Sequence, residues 1–290
     1  MEPRGFKELS ELTLMDDYMF GVVMQNPALA KAVIEGILGV KLRRVEYVEP
    51  QKHIKERYDA KGVRLDLYVE DENGIIYNVE IQTTNKRNLP KRMRYYQSII
   101  DLHILSPGAN YKQLRKSYVI FICNYDPFGV NRCVYTFENR CLEALDMAFG
   151  DETVKVVVNT KGSQAGLSDA LREMLRYLDQ GVVSGETSRA LDEAVNDVKN
   201  SEERRREYMV MMAHEMEIRE EGREEGREEG REEGREEGRK EGRKEGREEG
   251  MDVLGALIAR LLSLGRNGDV QRAATDPEYR MRLIEEFQLA

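Results

Sequence analysis

The sequence predicts an α/β domain followed by a helical appendage. Up to about residue 162, strand and helix patterns alternate along the chain. The run Ser117–Tyr125 is almost continuously apolar, which is typical of a strand buried on both faces, and Leu89–Leu105 carries apolar residues at helical spacing. Beyond residue 162 the patterns are helical. We predict an α/β domain at 1–162, a helical extension at 163–218, a repeat spacer at 219–250 and a C-terminal helical segment at 251–290.

Each remaining element of the α/β part has its own local signal. Ala28–Val40 has apolar residues at helical spacing and ends at Gly39, a residue type that favours helix termination. Leu42–Pro50 has the pattern of a strand that proline stops. Two strand-like runs between Arg64 and Arg87 flank a turn and predict a hairpin. Two more strands are predicted at Arg132–Asn139 and Thr153–Thr160.

Composition and charge limit the classes of function. The chain has 290 residues and a formal net charge of −9, so it is not a general binder of polyanions, and any nucleic-acid site must be a local basic surface. Three cysteines without metal-binding spacing suit a reducing compartment. Because the sequence shows neither a leader pattern nor an apolar run of about 18 residues, we expect a soluble, cytoplasmic protein with no membrane partner.

Charged residues concentrate in a repeat from Arg219 to Gly250. The unit REEG occurs eight times, with lysine replacing one glutamate in two copies, and its ten basic and fourteen acidic residues leave it at −4. A period of four drifts by about 40° per repeat around a helix, and each glycine costs roughly 1 kcal/mol against alanine. Alone, the segment should be a fraying rod or a coil. It could serve as a solvated spacer, or as a rod whose glycines admit a partner helix.

The C-terminal segment is too apolar to stand alone in water. Met251–Gly265 carries leucine and isoleucine at helical spacing, and a second helix is predicted at Asp276–Phe287. We expect the first of these helices to dock on the main body or on another copy of the chain. The C-terminal helices could therefore mediate a homo-oligomer.

The hairpin has two candidate registers. A two-residue loop at Asn73-Gly74 would mix charged and apolar side chains on both faces. A three-residue loop, with Gly74 in the left-handed region, would pair Asp66 with Glu80 and make one face wholly apolar. A one-residue slip would reverse every side chain, so the sequence predicts the second register. The apolar face would carry Val63, Leu65, Leu67 and Val69 opposite Ile75, Tyr77, Val79 and Ile81.

Asp66 and Glu80 would be direct cross-strand neighbours on the second face, with Cβ atoms roughly 4.5–5.5 Å apart. Two like charges so close are destabilising unless a cation lies between them, and a divalent ion with oxygen ligands would provide one. The alternative is a solvent-facing strand surface whose acids bind no metal. Gln82 shares this face and could hold a water or a phosphate oxygen, but it cannot act as a charged base.

Asp66, Gly74 and the run Tyr77–Gln82 resemble the core motif of the PD-(D/E)XK nuclease superfamily. They most resemble its Rpn group of recombination-promoting nucleases, which are also described as transposases. Three further segments match this group in the same order, and the resemblance covers about residues 12–160. These segments are the N-terminal motif Asp16–Pro27, the basic and aromatic helix Lys91–Ile100, and the strand entry Gly108–Cys123.

The resemblance implies a restriction-endonuclease-like core, a mixed sheet flanked by helices. It implies metal-dependent hydrolysis of DNA, with Mg²⁺, or Mn²⁺ in its place, as cofactor. Asp66 and Glu80 would bind the metal together with the backbone carbonyl of Ile81, and Asp17 (or its neighbour Asp16) would be an additional ligand. Asp17 could instead simply cap the helix that begins there. The superfamily's usual lysine falls on Gln82, which would position the water or the scissile phosphate.

A basic segment follows the hairpin. Residues 86–116 hold eight lysines and arginines against one acid, Asp101. Such a surface can bind a phosphate backbone without reading sequence, whereas a merely solvated helix face would normally mix both signs. Tyr95 could also contact the substrate. The expected DNA-binding residues are Lys86, Arg87, Lys91, Arg92, Arg94, Lys112, Arg115 and Lys116.

Two classes of function remain open. The first is a Mg²⁺-dependent DNA endonuclease of recombination or transposition, with Asp66, Glu80 and Gln82 as catalytic residues. The second is a catalytically inactive DNA-binding or scaffolding protein that retains the nuclease fold. A DNA-nicking assay distinguishes them.

Overall fold

The computed structural model describes residues 7–54 and 63–289, and six strands and eight α-helices account for most of these residues. The strands are β1 (Val45–Ile54), β2 (Val63–Asp71), β3 (Ile76–Gln82), β4 (Ser117–Cys123), β5 (Val134–Phe137) and β6 (Thr153–Asn159). The first five helices are α1 (Asp17–Val23), α2 (Pro27–Leu38), α3 (Leu89–Ile104), α4 (Asp169–Gln180) and α5 (Glu186–Asn200). The others are α6 (Glu202–Ser263), α7 (Asn267–Thr275) and α8 (Pro277–Glu286).

The strands form one mixed sheet in the order β1-β2-β3-β4-β6-β5. β1, β2 and β3 pair antiparallel, β3, β4 and β6 pair parallel, and β5 pairs antiparallel with β6. Helix α3 lies between the parallel strands β3 and β4 in sequence, so it returns the chain from one end of the sheet to the other. The predicted α/β core, a mixed sheet flanked by helices with a helical C-terminal region, is confirmed.

Apolar clusters cover both faces of the sheet. On one face, Phe20 of α1 and Ile34 of α2 belong to a cluster with Leu67 and Val79, which α4 and α5 also join. On the other face, α3 packs against Phe121 and its neighbours. The helices α4 and α5 therefore share the core of the sheet, and the boundary expected at residue 162 stays a prediction.

One strand differs from the sequence prediction. Strand β1 continues through Pro50, where the sequence predicted its end. β1 lies at the edge of the sheet, with β2 as its neighbour. A proline can be accommodated in an edge strand because the N–H that it lacks can be the one that would face away from the neighbour.

The chain divides into two compact units, Met1–Met212 and Ala213–Ala290. In the second unit, Leu257 and Leu261 of α6 are fully buried against α7 and α8, in a cluster with Ala273, Leu283 and Ile284. The apolar helix thus has partners within its own unit, where we expected the main body or another copy. The homo-oligomer stays a prediction.

The REEG repeat is part of the continuous helix α6, and its side chains are exposed. A Cβ added at any of its eight glycines would meet nothing within 4 Å. Among the described residues, therefore, no second helix packs against the glycines. The described helices also include none that combines the length and the apolar character needed to cross a membrane.

Candidate functional site

The β2–β3 hairpin has the register that the sequence predicts. Leu67 pairs with Val79 and Glu70 with Ile76, as the three-residue loop predicts, and the backbone pairing of the two strands ends at Leu67 and Val79. Gly74 has a φ of 73°, as the three-residue loop requires.

At Asp66 and Glu80, side-chain carboxylates accept the backbone N–H groups of the opposite strand in the place of backbone carbonyls. The N–H of Asp66 donates to Glu80 Oε1 at 3.0 Å, and the N–H of Ile81 donates to Asp66 Oδ2 at 2.9 Å. Each carboxylate therefore accepts a backbone hydrogen bond from the opposite strand. This exchange fixes both side chains between the strands and uses one oxygen of each carboxylate, and the Asn78 side chain lies beside the Glu80 carboxylate.

The second face of the hairpin is buried around the two acids, so the solvent-facing strand surface that the sequence left open as an alternative is wrong. Asp66 is 7% exposed and Glu80 is 1% exposed. The reason is tertiary: Tyr68 and Ile76, on the same face, pack into the cluster formed by α3. Leu65, which we expected on the opposite face with Leu67, packs into this cluster too.

Burial changes the acidity of both carboxyl groups. Desolvation raises the pKa of Asp66 to about 6, and the nearby charge of Asp17 acts in the same direction. Desolvation, followed by the charge of Asp66, raises the pKa of Glu80 well above its ordinary value. The positive charge of Arg92 opposes both shifts but does not cancel them. The pair therefore favours either a proton or a bound cation.

Asp66 and Glu80 fit a hard divalent cation such as Mg²⁺. In each carboxylate, one oxygen takes no part in the backbone hydrogen bonds described above, and Ile81 lines the same pocket. The described residues include no cluster of three or more His, Cys, Asp or Glu side chains placed to hold a metal. Mg²⁺ commonly binds through one or two carboxylates and keeps several waters, so two acidic ligands are sufficient.

The pocket around the two acids has a volume of about 810 Å³. Asp17 of α1 lines it, with its carboxylate 3.8 Å from the guanidinium of Arg64. Asp16 instead accepts hydrogen bonds from the Thr13 N–H and from Lys7. Of these two neighbouring acids, Asp17 is therefore the one at the pocket. Its side chain is largely exposed, which suits a peripheral rather than a central position.

Gln82 lies in the same pocket, and both ends of its amide are engaged. Its Nε2 donates to the carbonyl of Thr84 at 2.6 Å, and its Oε1 accepts from Arg92. Arg92 also donates to Tyr96 Oη at 2.8 Å. Sequence analysis placed Arg92 on an outer DNA-binding surface, whereas the structure places it half-buried beside the acids.

The predicted DNA-binding residues fall into two groups. Lys86, Lys91 and Arg92 line the pocket, with the exposed Arg87 and Arg94 close to them in sequence. The second group, Lys112, Arg115 and Lys116, precedes β4 and lies at the opposite end of the sheet.

The separation between the groups follows from the parallel pairing of β3 and β4. The N–H of Ile76, at the start of β3, donates to the carbonyl of Lys116. Gln82 at the end of β3 is six residues away, or roughly 20 Å along a strand. Arg115 is also ion-paired with Glu70 at 2.7 Å. The eight residues therefore do not form one continuous surface, and their roles in binding stay predictions.

Sequence analysis missed five residues that line the pocket, namely Arg64, Thr83, Thr84, Asn88 and Tyr96, and two of them make contacts with the predicted site residues. Arg64, beside Asp17, precedes the predicted strand motif by two positions and carried no recognisable signal. Tyr96 lies one helical turn after Arg92, and this i,i+4 spacing on a predicted helix could have indicated a joint role. Tyr95 also lines the pocket, as its sequence position suggested.

A comparison with protein-family models agrees with this site. Residues 16–142 match the family described as PD-(D/E)XK nuclease family transposase, and this range includes Asp17, Asp66, Glu80 and Arg92. Searches of curated proteins and of solved structures gave no match. The resemblance seen in the sequence is confirmed over residues 16–142, where the chain is similar to the PD-(D/E)XK nuclease family transposases.

Proposed function

We propose that this protein is a metal-dependent DNA endonuclease, with Mg²⁺ as its cofactor and Mn²⁺ as a substitute. The observation that carries the proposal is the buried pair of Asp66 and Glu80, two acids that each bond to the opposite backbone and have raised pKa values. A structural role would favour neutral or paired side chains at such buried positions. The transposase family of residues 16–142 supports the same reaction.

The proposed residues have separate tasks. Asp66 and Glu80 would hold the metal with the Ile81 carbonyl, and Asp17 would act from the edge of the pocket. When bound, the metal supplies a more acidic coordinated water and offsets negative charge on the phosphate. In the reaction, a water oxygen bonds to phosphorus, one P–O ester bond breaks, and the leaving oxygen takes a proton. Lys86 and Lys91 would hold the flanking DNA backbone by charge.

The biological setting belongs to the same proposal. We infer a role in recombination or transposition of the Rpn type, in the cytoplasm, with DNA as the principal partner. The family description and the pocket lysines support this setting.

Plasmid nicking by the purified full chain tests the proposal. Wild-type protein should nick supercoiled DNA with Mg²⁺ or Mn²⁺ and not with EDTA. Asp66→Asn and Glu80→Gln should reduce nicking to background, while Glu193→Gln, an exposed acid on α5, should nick like wild type. Unchanged nicking by both active-site variants would reject this site and favour the inactive DNA-binding or scaffolding alternative.

A further inference from the structure

Four contacts hold Arg92 in place inside the pocket. One terminal nitrogen donates to Gln82 Oε1, and the other donates to Tyr96 Oη at 2.8 Å. The guanidinium carbon lies 5.3 Å from the ring centroid of Tyr96 and 5.2 Å from that of Phe121. A guanidinium held by two hydrogen bonds and two aromatic rings has little freedom to move.

Arg92 shares its pocket with two buried acids without pairing with them. Arginine and a carboxylate usually form a short, often bidentate ion pair. In the part of the chain that the structure describes, no ion pair within 4 Å joins Arg92 to Asp66 or Glu80. Both of its terminal nitrogens are instead bonded to neutral acceptors, Gln82 and Tyr96. The two carboxylates therefore remain available to a cation.

Gln82 is suited to hold Arg92 away from the two acids because its side chain is neutral and its amide is hydrogen-bonded through both the nitrogen and the oxygen. Its Nε2 bond to the Thr84 carbonyl orients the amide so that Oε1 points to Arg92. A lysine at this position would bring a second cation against Arg92, and a glutamate would add a third acid to the pair. The amide accepts the arginine bond without changing the charge of the site.

We propose that Arg92 supplies the positive charge that contacts the scissile phosphate, and that Gln82 is the positioning residue that holds Arg92 away from the metal-binding acids. The inference rests on the proposed nuclease function. A guanidinium has five N–H donors, and the bonds to Gln82 and Tyr96 leave three for phosphate oxygens. Cationic clamps of this kind stabilise charge that develops during phosphoryl transfer.

The hydrogen bond by which Gln82 holds Arg92 away from the acids is called the tether below. Mn²⁺ affinity, measured by calorimetry on the full chain without DNA, tests the tether independently of activity. Arg92→Gln removes a nearby positive charge, so Mn²⁺ should bind more tightly, on the order of tenfold. Gln82→Ala releases the guanidinium to pair with Asp66 or Glu80, so Mn²⁺ should bind more weakly, on the order of tenfold. Arg172→Gln, a control on α4, should leave the affinity unchanged. Shifts of the same sign in the two pocket variants would overturn the tether, because a merely structural role would weaken binding in both.

Nicking at saturating DNA tests the contact with phosphate. Arg92→Gln should slow nicking by about 10²–10³-fold. Adding Gln82→Lys to that variant should recover at least about tenfold, because it returns a positive charge to the same place. DNA affinity in EDTA should fall less for Arg92→Gln than for Lys91→Gln, which removes a pocket cation without a role in the tether.

The two assays separate the inference from the proposed function. If wild-type protein nicks and Asp66→Asn does not, but Arg92→Gln nicks at the wild-type rate, the role of Arg92 is overturned and the nuclease function stands. The same holds if the double variant is no faster than Arg92→Gln. If wild-type protein fails to nick, the nuclease function falls, and the signs of the Mn²⁺ shifts still decide whether Gln82 tethers Arg92.

Discussion

Replacing Asp66 by asparagine should stabilise the metal-free protein, although the change damages the candidate site. The Asp66 carboxylate is buried and shares its surroundings with Glu80. Asparagine has nearly the same shape, and its amide oxygen can still accept the Ile81 N–H that Asp66 Oδ2 accepts at 2.9 Å. The substitution therefore removes the disfavoured charge and keeps the hydrogen bond.

The size of the effect follows from the pKa of Asp66, which burial raises from 3.8 to about 6. A difference of about two pKa units corresponds to about 3 kcal/mol between the two protonation states. The pKa of Asp66 is higher in the folded protein than in the unfolded chain. The contribution of the protonated Asp66 carboxyl to folding stability is therefore fully present below about pH 4 and is lost as the pH rises through about 6. At pH 8 the charge is fully unfavourable. The substitution should recover about 1–3 kcal/mol, since burying the amide N–H groups offsets part of the gain.

Urea unfolding at pH 8 in EDTA measures this effect. Of the 14 tyrosines, only Tyr279 lies beyond Met212, so near-UV circular dichroism reports mainly on the first unit. Asp71→Asn is the matched control, because Asp71 is a buried acid of the same strand whose oxygens accept from Asn73, Ile75 and Tyr77. It should lose about 1 kcal/mol. If Asp66→Asn loses stability as Asp71→Asn does, the reasoning that the buried charge of Asp66 destabilises the folded protein is refuted.

Three further predictions concern the metal, the DNA and the appendage. Mg²⁺ at ten times its Kd should raise the free energy of unfolding by about 1.4 kcal/mol in wild type and leave Asp66→Asn unchanged, as urea titrations would show; equal gains would argue against the site. Lys91→Gln should lower the salt slope of DNA binding by about one unit, and Arg115→Gln should lower it less, because Arg115 is paired with Glu70; anisotropy titrations with equal slopes would contradict this. Deleting Arg219–Ala290 should leave the cooperative tyrosine transition intact, and its loss would show that the first unit depends on the appendage.

The hairpin was predictable because its determinants are local. Gly74 sets the loop, and the alternation of apolar side chains selects a single register. The same local pattern left open whether the face of Asp66 and Glu80 is exposed to solvent. Its burial depends on α3, a helix that packs on it only in the folded protein, and no strand pattern carries that information.

The basic residues show a second limit of local patterns. Residues 86–116 are continuous in sequence, but α3 carries the chain across the sheet, so Lys91 and Lys116 lie at opposite ends. Arg92 differs from its neighbour Lys91 because helical geometry turns it towards Gln82, a contact that the sequence order alone does not show.

The helical state of the REEG repeat was also beyond a local prediction. Its glycines and its like-charged i,i+4 neighbours oppose a helix, yet α6 is continuous from Glu202 to Ser263. Among the described residues, packing anchors this helix near its two ends, because Tyr208 is buried in the first unit and Leu257 and Leu261 are buried in the second. I,i+4 pairs such as Lys240 with Glu236, at 3.1 Å, add support where lysine replaces glutamate.

The central claim is that Asp66 and Glu80 together hold a divalent metal, and anomalous diffraction at the manganese edge tests it most directly. Crystals of the full chain grown with Mn²⁺ should show a peak within about 2.0–2.6 Å of a carboxylate oxygen from each residue. The peak should be absent in crystals of Asp66→Asn grown under the same conditions. A wild-type map with Mn²⁺ bound only elsewhere, or with no peak between the two acids, would contradict the metal centre proposed for this site.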